Sequence, residues 1–178
     1  MTLNTLGDLG LNDTKALILG WYGYGNVGDE LLLEETIKFF SAKCSNITYT
    51  SNQKCESYSG NTTCNSIQFK SKADIFKLVL KVLSVRYVVL GGGTYLRDIG
   101  DKKNLVIKLL ILSVAAILGK KIVFFGSGLG PFSYNKNNPL LRFVLRRVTF
   151  PLVRDRKSAD EYKKASGKNA LIVPDPVM

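Results

Sequence analysis

Short apolar runs alternate along the chain with longer stretches in which apolar residues recur every three or four positions. A short continuous run is typical of a strand buried on both faces, and the longer recurrence is typical of a helix packed on one side. Strands are predicted at residues 15–21, 47–50, 86–90, 121–125, 152–154 and 170–173, and helices at residues 30–42, 72–83, 103–118, 139–148 and 157–165. This alternation predicts an α/β fold, a Rossmann-like and mostly parallel sheet with flanking helices and right-handed crossovers.

Two polar segments fall outside this alternation. Residues 1–14 are predicted to be a polar lead-in, and residues 51–66, which are rich in Ser, Asn, Thr and Cys, are predicted to be a loop. Gly119 is expected to cap the helix at residues 103–118, because glycine adopts the left-handed conformation that often ends a helix. Residues 15–178 are therefore predicted to form one Rossmann-like domain.

The glycine-rich segment at residues 20–30, GWYGYGNVGDE, joins the first predicted strand to the first predicted helix. Such a turn leaves backbone N–H groups free at the start of a helix, where the helix dipole favours an anion. Glycine is required where the backbone takes a positive φ or approaches a ligand closely. The turn is therefore a candidate site for a phosphate or a carboxylate. Its candidate binding residues are Gly23, Gly25, Asn26, Gly28 and Asp29.

Three further motifs each follow a predicted strand. They are Gly91-Gly92-Gly93, Gly126-Ser127-Gly128 and Arg154-Asp155. Because the carboxyl ends of parallel strands lie at one edge of a sheet, and ligands bind in the crevice there, the four motifs are predicted to form a single site. Three consecutive glycines are more than a sharp turn needs, which favours close approach of the backbone to a ligand.

Two charged side chains, one in these motifs and one shortly after the glycine run, have two interpretations each. Arg154 can hold a carboxylate or a phosphate through two parallel hydrogen bonds, or it can form a local ion pair with Asp155. Asp98, a few residues after the glycine run, can bind a sugar hydroxyl or can be a solvated loop acid.

The spacing Gly23-x-Gly25-x-x-Gly28 also matches the fingerprint of dinucleotide-binding folds. That fingerprint expects an acidic residue about 20 positions further on, which holds the ribose hydroxyls. Residues 48–52 contain no acid, so a nicotinamide or flavin cofactor is disfavoured, and no cofactor is expected. A tight turn that serves packing alone is the structural alternative.

The chain is strongly basic, with 25 Lys and Arg against 14 Asp and Glu and a net charge of +11. This charge suits a phosphorylated metabolite, a lipid surface or nucleic acid, although a solvated lysine-rich surface explains it equally well. No aromatic and basic stacking platform is visible, so nucleic acid is not expected. A basic set is predicted to be a solvated face or to rest against an anionic membrane. It comprises Arg142, Arg146, Arg147, Arg156 and Lys157.

Cysteine and histidine usage argues against a metal site. The three cysteines have no CxxC spacing, and the chain contains no histidine. An odd cysteine number favours a reducing cytoplasm, and no signal-peptide pattern is visible. The apolar stretch at residues 105–118 is too short for a membrane span, which needs about 20 residues. It is predicted to be a buried helix, with packing on a membrane surface as the alternative.

In this order and at this spacing, the motifs resemble those of the polysaccharide pyruvyl transferase family. The resemblance rests on residues 20–30, 91–93 and 126–131, on Arg154-Asp155 with Ser158, and on Asp175-Pro176. It implies the N-terminal domain of a GT-B-type transferase, in which two Rossmann-type domains face a cleft. Ser127 stands where glutamine is common in the family.

The resemblance also implies a reaction and its partners. Family members move the enolpyruvyl group of phosphoenolpyruvate onto a sugar as a ketal. The acceptor is a lipid- or nucleotide-linked precursor of a cell-surface glycan. Arg154 would hold phosphoenolpyruvate, and the glycine turns would line the cleft. A cytoplasmic enzyme is expected, with the inner face of the membrane as the alternative location.

The family's acid/base histidine belongs to a second domain, whereas this chain has no histidine. The C-terminal domain is therefore expected to be absent, the catalytic residue stays unidentified, and the chain is expected to be inactive without that domain or a partner chain. Two alternatives remain open at this point. One is a GT-B glycosyltransferase domain that uses a nucleotide sugar, and the other is a non-catalytic binding module whose exposed apolar surface drives association.

Overall fold

A computed structural model describes residues 14–53, 56–59, 62–68, 71–98, 102–132 and 138–177. The predicted lead-in at residues 1–14 lies outside the described residues except for Thr14, which begins the first strand. Within the described residues, no helix is both long enough and apolar enough to span a bilayer.

Eight strands and five helices alternate along the described part of the chain. The strands are β1 Thr14–Leu19, β2 Cys44–Thr50, β3 Glu56–Ser59, β4 Thr62–Ile67, β5 Tyr87–Leu90, β6 Lys121–Ser127, β7 Phe150–Val153 and β8 Leu171–Ile172. The helices are α1 Val27–Ser41, α2 Lys72–Ser84, α3 Lys102–Ile117, α4 Pro139–Arg146 and α5 Arg156–Ser166. Every predicted strand and helix is present, with ends that differ by a few residues.

The prediction of a loop over residues 51–66 was wrong. This segment contains β3 and most of β4, which pair with each other antiparallel, and β4 adds a parallel strand beside β2. Polar residues form these strands because pairing with neighbours outweighs intrinsic preference at a sheet margin. The hydroxyl of Thr62 donates to the carbonyl oxygens of Ser41 and Cys44, at 3.0 and 2.8 Å, and so anchors β4 to the end of α1.

The strands form one sheet in the order β3-β4-β2-β1-β5-β6-β7-β8, and all neighbours except β3 and β4 run parallel. From β1 the chain adds strands first on one side and then, after β4, on the other. The strand order therefore reverses between β1 and β5, which is where α/β sheets of this type bind ligands. The Rossmann-like α/β prediction is confirmed.

The two faces of the sheet are covered unequally. Helix α1 packs on the face that carries Ala16 and Ile18, whereas α2, α3, α4 and α5 pack on the face that carries Leu17 and Leu19. Helix α1 leads from β1 to β2 on one side of the sheet, whereas α2, α3, α4 and α5 lead to strands that are added towards the other side. Because the direction and the covered face both change, all these parallel crossovers have the same hand. Gly119, with φ of +67°, ends α3 in the left-handed conformation as predicted.

Candidate functional site

The glycine-rich turn between β1 and α1 forms hydrogen bonds with two carboxylates of its own segment, those of Asp29 and Glu30. Asn26 caps α1, accepting a hydrogen bond from the Gly28 N–H at 3.2 Å, and its amide donates to Asp29 at 2.8 Å. The N–H of Gly23 donates to the Glu30 carboxylate. Gly23 and Gly25 both have positive φ, of 78° and 79°, so the turn needs them for its shape. Two acids in the first turn of α1 make this helix start a poor site for a further anion and a good one for hydroxyl donors.

The glycine run after β5 allows α1 and the first turn to pack closely. A Cβ atom on Gly91 would meet the Tyr22 hydroxyl, and one on Gly92 would meet the Leu32 side chain. Gly93, with φ of +68°, faces Asp29, whose Oδ1 would lie 2.8 Å from an added Cβ. Close packing within the protein therefore explains why glycine is needed at positions 91 and 92. Gly93 instead lies next to the Asp29 carboxylate.

The motif after β6 joins the sheet to the site. The Ser127 hydroxyl is buried and donates to the Leu90 carbonyl at 2.6 Å, so it holds β6 to β5. The Gly128 N–H donates to the Gly93 carbonyl at 2.8 Å. An added Cβ on Gly128 would lie 2.6 Å from the Thr94 hydroxyl.

Gly126, in the same motif, has a positive φ of 61°. An added Cβ at Gly126 would collide with the Pro176 ring, so the segment after β8 lies against this turn. The absence of a side chain at Gly128 also makes room for Arg154, whose Nε would be 3.3 Å from an added Cβ.

Arg154, at the end of β7, has three polar partners. Its Nε donates to Asp155 at 3.3 Å, one terminal nitrogen donates to the Thr94 hydroxyl at 3.4 Å, and the other lies 3.9 Å from the Asp175 carboxylate. About a third of its side chain, 34%, remains exposed. The predicted local ion pair with Asp155 is thus present. Because all three distances are long, the guanidinium remains able to exchange these partners for a ligand.

Asp155 caps α5 and connects it to the loop after β6. Its Oδ1 accepts from the Ser158 N–H at 2.8 Å, and the Ser158 hydroxyl accepts from the Leu129 N–H at 2.9 Å. Burial favours a raised pKa for Asp155, but the hydrogen bonds from Ser158 and Arg154 outweigh it and hold the pKa below its usual range. The carboxylate therefore stays ionised to a lower pH than that of a freely solvated aspartate.

Asp29 has the opposite shift. Burial raises the pKa of Asp29, the hydrogen bond from Asn26 and the charge of Arg154 lower it, the charge of Glu30 raises it, and the net pKa is above its ordinary value. An acid with a raised pKa takes up a proton at a higher pH than a freely solvated one does.

The sheet edge also carries residues that the sequence analysis did not single out. The Tyr22 hydroxyl is buried beside Gly91 and has no hydrogen-bond partner among the described residues. Burial raises the pKa of Tyr22, so the phenol stays protonated. Lys108 of α3 is buried, donates to the Tyr95 carbonyl at 2.8 Å and lies 4.5 Å from the centre of the Trp21 ring. The single lysine within the apolar stretch at residues 105–118 was the available signal for this contact.

Asp98 does not fit one of its two interpretations. It is only 1% exposed, so the solvated loop acid was wrong. Its N–H lies 3.5 Å from the Pro131 carbonyl, in the loop after β6.

Several members of the predicted basic face have local partners. Arg146 donates to the Ser166 carbonyl at 3.1 Å, Arg147 stacks 3.9 Å from the Phe143 ring, and Arg156 lies 3.8 Å from Asp160. Lys157 instead lines an open crevice beside the start of α5, together with Thr94, Pro131 and Ser158. The described part of the chain contains no cluster of three or more potential metal ligands.

The structure therefore brings most of the predicted site together at the carboxyl edge of β1, β5, β6 and β7. Asp29 and Gly93 lie on one side, and Gly128, Thr94 and Arg154 on the other. Gly25 faces open space, with no atom within 4 Å of an added Cβ. The arrangement combines a carboxylate, suited to hydroxyl groups, with a guanidinium suited to an anion.

This fold and this site define a Rossmann-like α/β domain with charged and polar side chains at the carboxyl edge of its sheet. Comparison with protein families then shows that the chain belongs to the polysaccharide pyruvyl transferase family, whose model matches residues 26–178. The matched region includes all four strand-end motifs apart from the beginning of the first turn. No curated protein and no solved structure matches the chain.

Proposed function

We propose that this chain binds phosphoenolpyruvate and a sugar acceptor in the crevice at the carboxyl edge of the sheet, as part of a pyruvyl transferase. The single observation that carries the proposal is the position of Arg154 at the carboxyl edge of the sheet, where its side chain is 34% exposed and its charge acts on the pKa of Asp29. The family to which the chain belongs supports the same reaction class.

The donor would be held on the side of Arg154. A guanidinium binds a carboxylate or a phosphate through two parallel hydrogen bonds, and phosphoenolpyruvate offers both groups. Lys157 and Lys164 line the crevice beside α5 together with Asp155, Asp160 and Glu161, and Lys164 is paired with Glu161 at 3.1 Å. Lys157 is therefore the lysine that would assist Arg154. The acids Asp155 and Asp175, which contact Arg154 in the free protein, would exchange with the ligand.

The acceptor would be held on the side of Asp29. A carboxylate accepts hydrogen bonds from sugar hydroxyls, and the acids at the start of α1 repel the phosphate of the donor. The two substrates are thereby directed to opposite sides of one crevice. In this proposal Asp29 would also accept a proton from an attacking hydroxyl.

Ketal formation has a definite proton balance. One sugar hydroxyl adds to C2 of phosphoenolpyruvate as the methylene carbon gains a proton, and a second hydroxyl then displaces phosphate from C2. The two hydroxyl protons end on the new methyl group and on the released phosphate. Because the chain has no histidine, we propose that a second domain or a partner chain supplies the proton donor for the methylene carbon.

The acceptor is proposed to be a lipid- or nucleotide-linked glycan precursor for the cell surface. Phosphoenolpyruvate is a cytoplasmic metabolite, so we place the reaction in the cytoplasm, at the inner face of the membrane for a lipid-linked acceptor.

Calorimetric titration with phosphoenolpyruvate and, separately, with a UDP-sugar tests the proposal. We expect phosphoenolpyruvate to bind, and Arg154→Gln to abolish that binding, while Arg156→Gln leaves it unchanged. Arg156 is a matched control because its side chain is 83% exposed, against 34% for Arg154, and its acid partner, Asp160, is not one of the acids paired with Arg154. Saturation by the UDP-sugar alone would instead identify a nucleotide-sugar transferase, and binding of neither ligand would favour a non-catalytic module. Ketal formation by the chain alone would contradict the proposed need for a second domain.

A further inference from the structure

Helices α2 and α3 pack side by side and both expose large apolar side chains to solvent. On α2 these are Phe76, Leu80 and Leu83, spaced so that they form one line along the helix. On α3 they are Val106, Leu110 and Ile117, of which Ile117 is 73% exposed. We call these six side chains the α2–α3 surface. A contiguous group of exposed apolar side chains of this kind indicates a site of interaction.

Cations gather where the two helices end. Lys15, Lys81, Arg86 and Lys120 lie there, and Lys120 donates to the Leu83 carbonyl at 2.8 Å. Burial and the charge of Lys15 both lower the pKa of Lys81, which shows that two of these cations lie close to each other.

The acidic groups near this surface are few. Asp74 is the one acid in the sequence of α2, and α3 contains none. Asp74 is already paired with Lys77 at 3.3 Å and with the capping residue Ser71. The α2–α3 surface is therefore apolar along its length and positively charged at its end, so its electrostatic complement is an anionic partner.

We propose that the α2–α3 surface docks on an anionic lipid bilayer. The exposed apolar side chains enter the boundary between headgroups and acyl chains, and the cations at the helix ends contact anionic headgroups. Long lysine side chains suit this position, because their stems lie along apolar surface while the ammonium groups reach the headgroups. The contact is peripheral, in keeping with the lack of a membrane-spanning helix in the described residues.

Charge favours a bilayer over a second copy of the chain. A second copy of the α2–α3 surface would offer these cations no acid of α2 or α3 except Asp74, which is already paired with Lys77 at 3.3 Å. An anionic bilayer neutralises them instead. With the helix layer on the bilayer, the strands run parallel to the membrane plane, and the crevice at their carboxyl ends opens sideways along the membrane.

Co-sedimentation with vesicles of phosphatidylcholine and phosphatidylglycerol in equal amounts tests the apolar part of the proposal. We expect binding to these vesicles and much weaker binding to pure phosphatidylcholine. The double variant Phe76→Gln/Leu110→Gln should bind at least about tenfold more weakly, because two large side chains no longer leave water. Leu171→Gln, which removes an exposed apolar side chain of β8, should bind as the unchanged chain does.

A pair of charge variants tests the electrostatic part. Lys15→Gln/Lys81→Gln should weaken binding by roughly fivefold per cation, from the attraction of about 1 kcal/mol that each basic residue has for an anionic surface. Lys38→Gln/Lys163→Gln removes the same charge from exposed positions on α1 and α5 and should have a smaller effect. Circular dichroism checks that each variant is folded.

Three results would overturn the proposal. They are absence of vesicle binding, equal loss in both charge pairs, and a dimer in light scattering that Phe76→Gln/Leu110→Gln dissociates. The last would identify a second copy as the occupant of the surface. The vesicle assay contains neither phosphoenolpyruvate nor sugar, so its outcome is independent of the proposed function.

Discussion

Two helices begin at the same edge of the sheet, and their first turns differ in charge. Helix α1 starts after β1 with Asn26 as its cap and with Asp29 and Glu30 in its first turn. Helix α5 starts after β7 with Asp155 as its cap, and its first turn has no acid. Arg154 precedes that cap, and its guanidinium lies against it at 3.3 Å. The backbone offers similar N–H groups in both places, so the side chains around each helix start decide which ligand it suits.

The largest effect is expected from Arg154→Lys, which keeps the charge at the α5 side but removes the planar fork. Phosphoenolpyruvate should bind about ten- to a hundredfold more weakly, because one of two parallel charged hydrogen bonds, each worth about 1.5–3 kcal/mol, is lost. Calorimetry measures the change. Unaltered affinity would mean that charge alone, and not the two-point geometry, holds the donor.

Asp155→Ala should lower the free energy of unfolding by about 1 kcal/mol, because α5 loses its cap. Urea denaturation measures it, and Asp160→Ala, which removes an exposed acid from the same helix, serves as control. The pKa of Asp155 is depressed in the fold, so its ionised form stabilises the protein above the unfolded pKa of about 4. The difference between the two proteins should therefore shrink as the pH falls through the folded pKa. A difference independent of pH would contradict this account.

Gly28→Ala separates packing from ligand binding at the α1 side. Gly28 lies inside α1, and an added Cβ would be 3.6 Å from its nearest neighbour, the Asn26 Oδ1. Alanine should stabilise the helix by about 0.5–1 kcal/mol. If the backbone of this turn approaches the acceptor closely, the same variant should bind the acceptor more weakly while being more stable. Unchanged acceptor binding would show that Gly28 does not contact the acceptor.

The smallest effect is expected from Asp29→Asn. The pKa of Asp29 is raised in the fold, so its contribution to stability is greatest below the unfolded pKa and is lost as the pH rises through the folded pKa. Asparagine resembles the protonated acid. The variant should therefore match the unchanged chain near pH 3 and be slightly more stable at neutral pH, by less than about 0.5 kcal/mol because the group is partly solvated. Thermal unfolding at both pH values measures the difference, and the reverse order would disprove a raised pKa.

The sequence predicted the two helix starts and the motifs around them, but not the contacts between these motifs. Apolar periodicity located every described strand except β3 and β4, whose polar composition is typical of a loop and which form strands because β2 provides a partner for β4. The rule for parallel sheets correctly placed the glycine motifs and Arg154 at one edge. It could not show that Thr94 joins Arg154 above Gly128, because that contact depends on which strands are neighbours.

Two other residues show the same limit of sequence reasoning. Asp98 is buried, although one of its two interpretations was a solvated loop acid. Tyr22 belongs to the recognised turn, but its burial behind Gly91 follows only from the close approach of β1 and β5. Burial of a single polar side chain depends on long-range packing, which local composition does not encode.

Arg154 also lies near Asp175, and the neighbouring Pro176 lies against Gly126. A ligand that takes over the guanidinium competes directly with the carboxylate that tethers this last described segment. In the proposed complex, a ligand at Arg154 would therefore release the segment after β8 from this ion pair. A fluorescent probe attached after β8 would then respond to donor binding without contacting the donor. A displacement of that segment would in turn change the affinity of Arg154 for its anion.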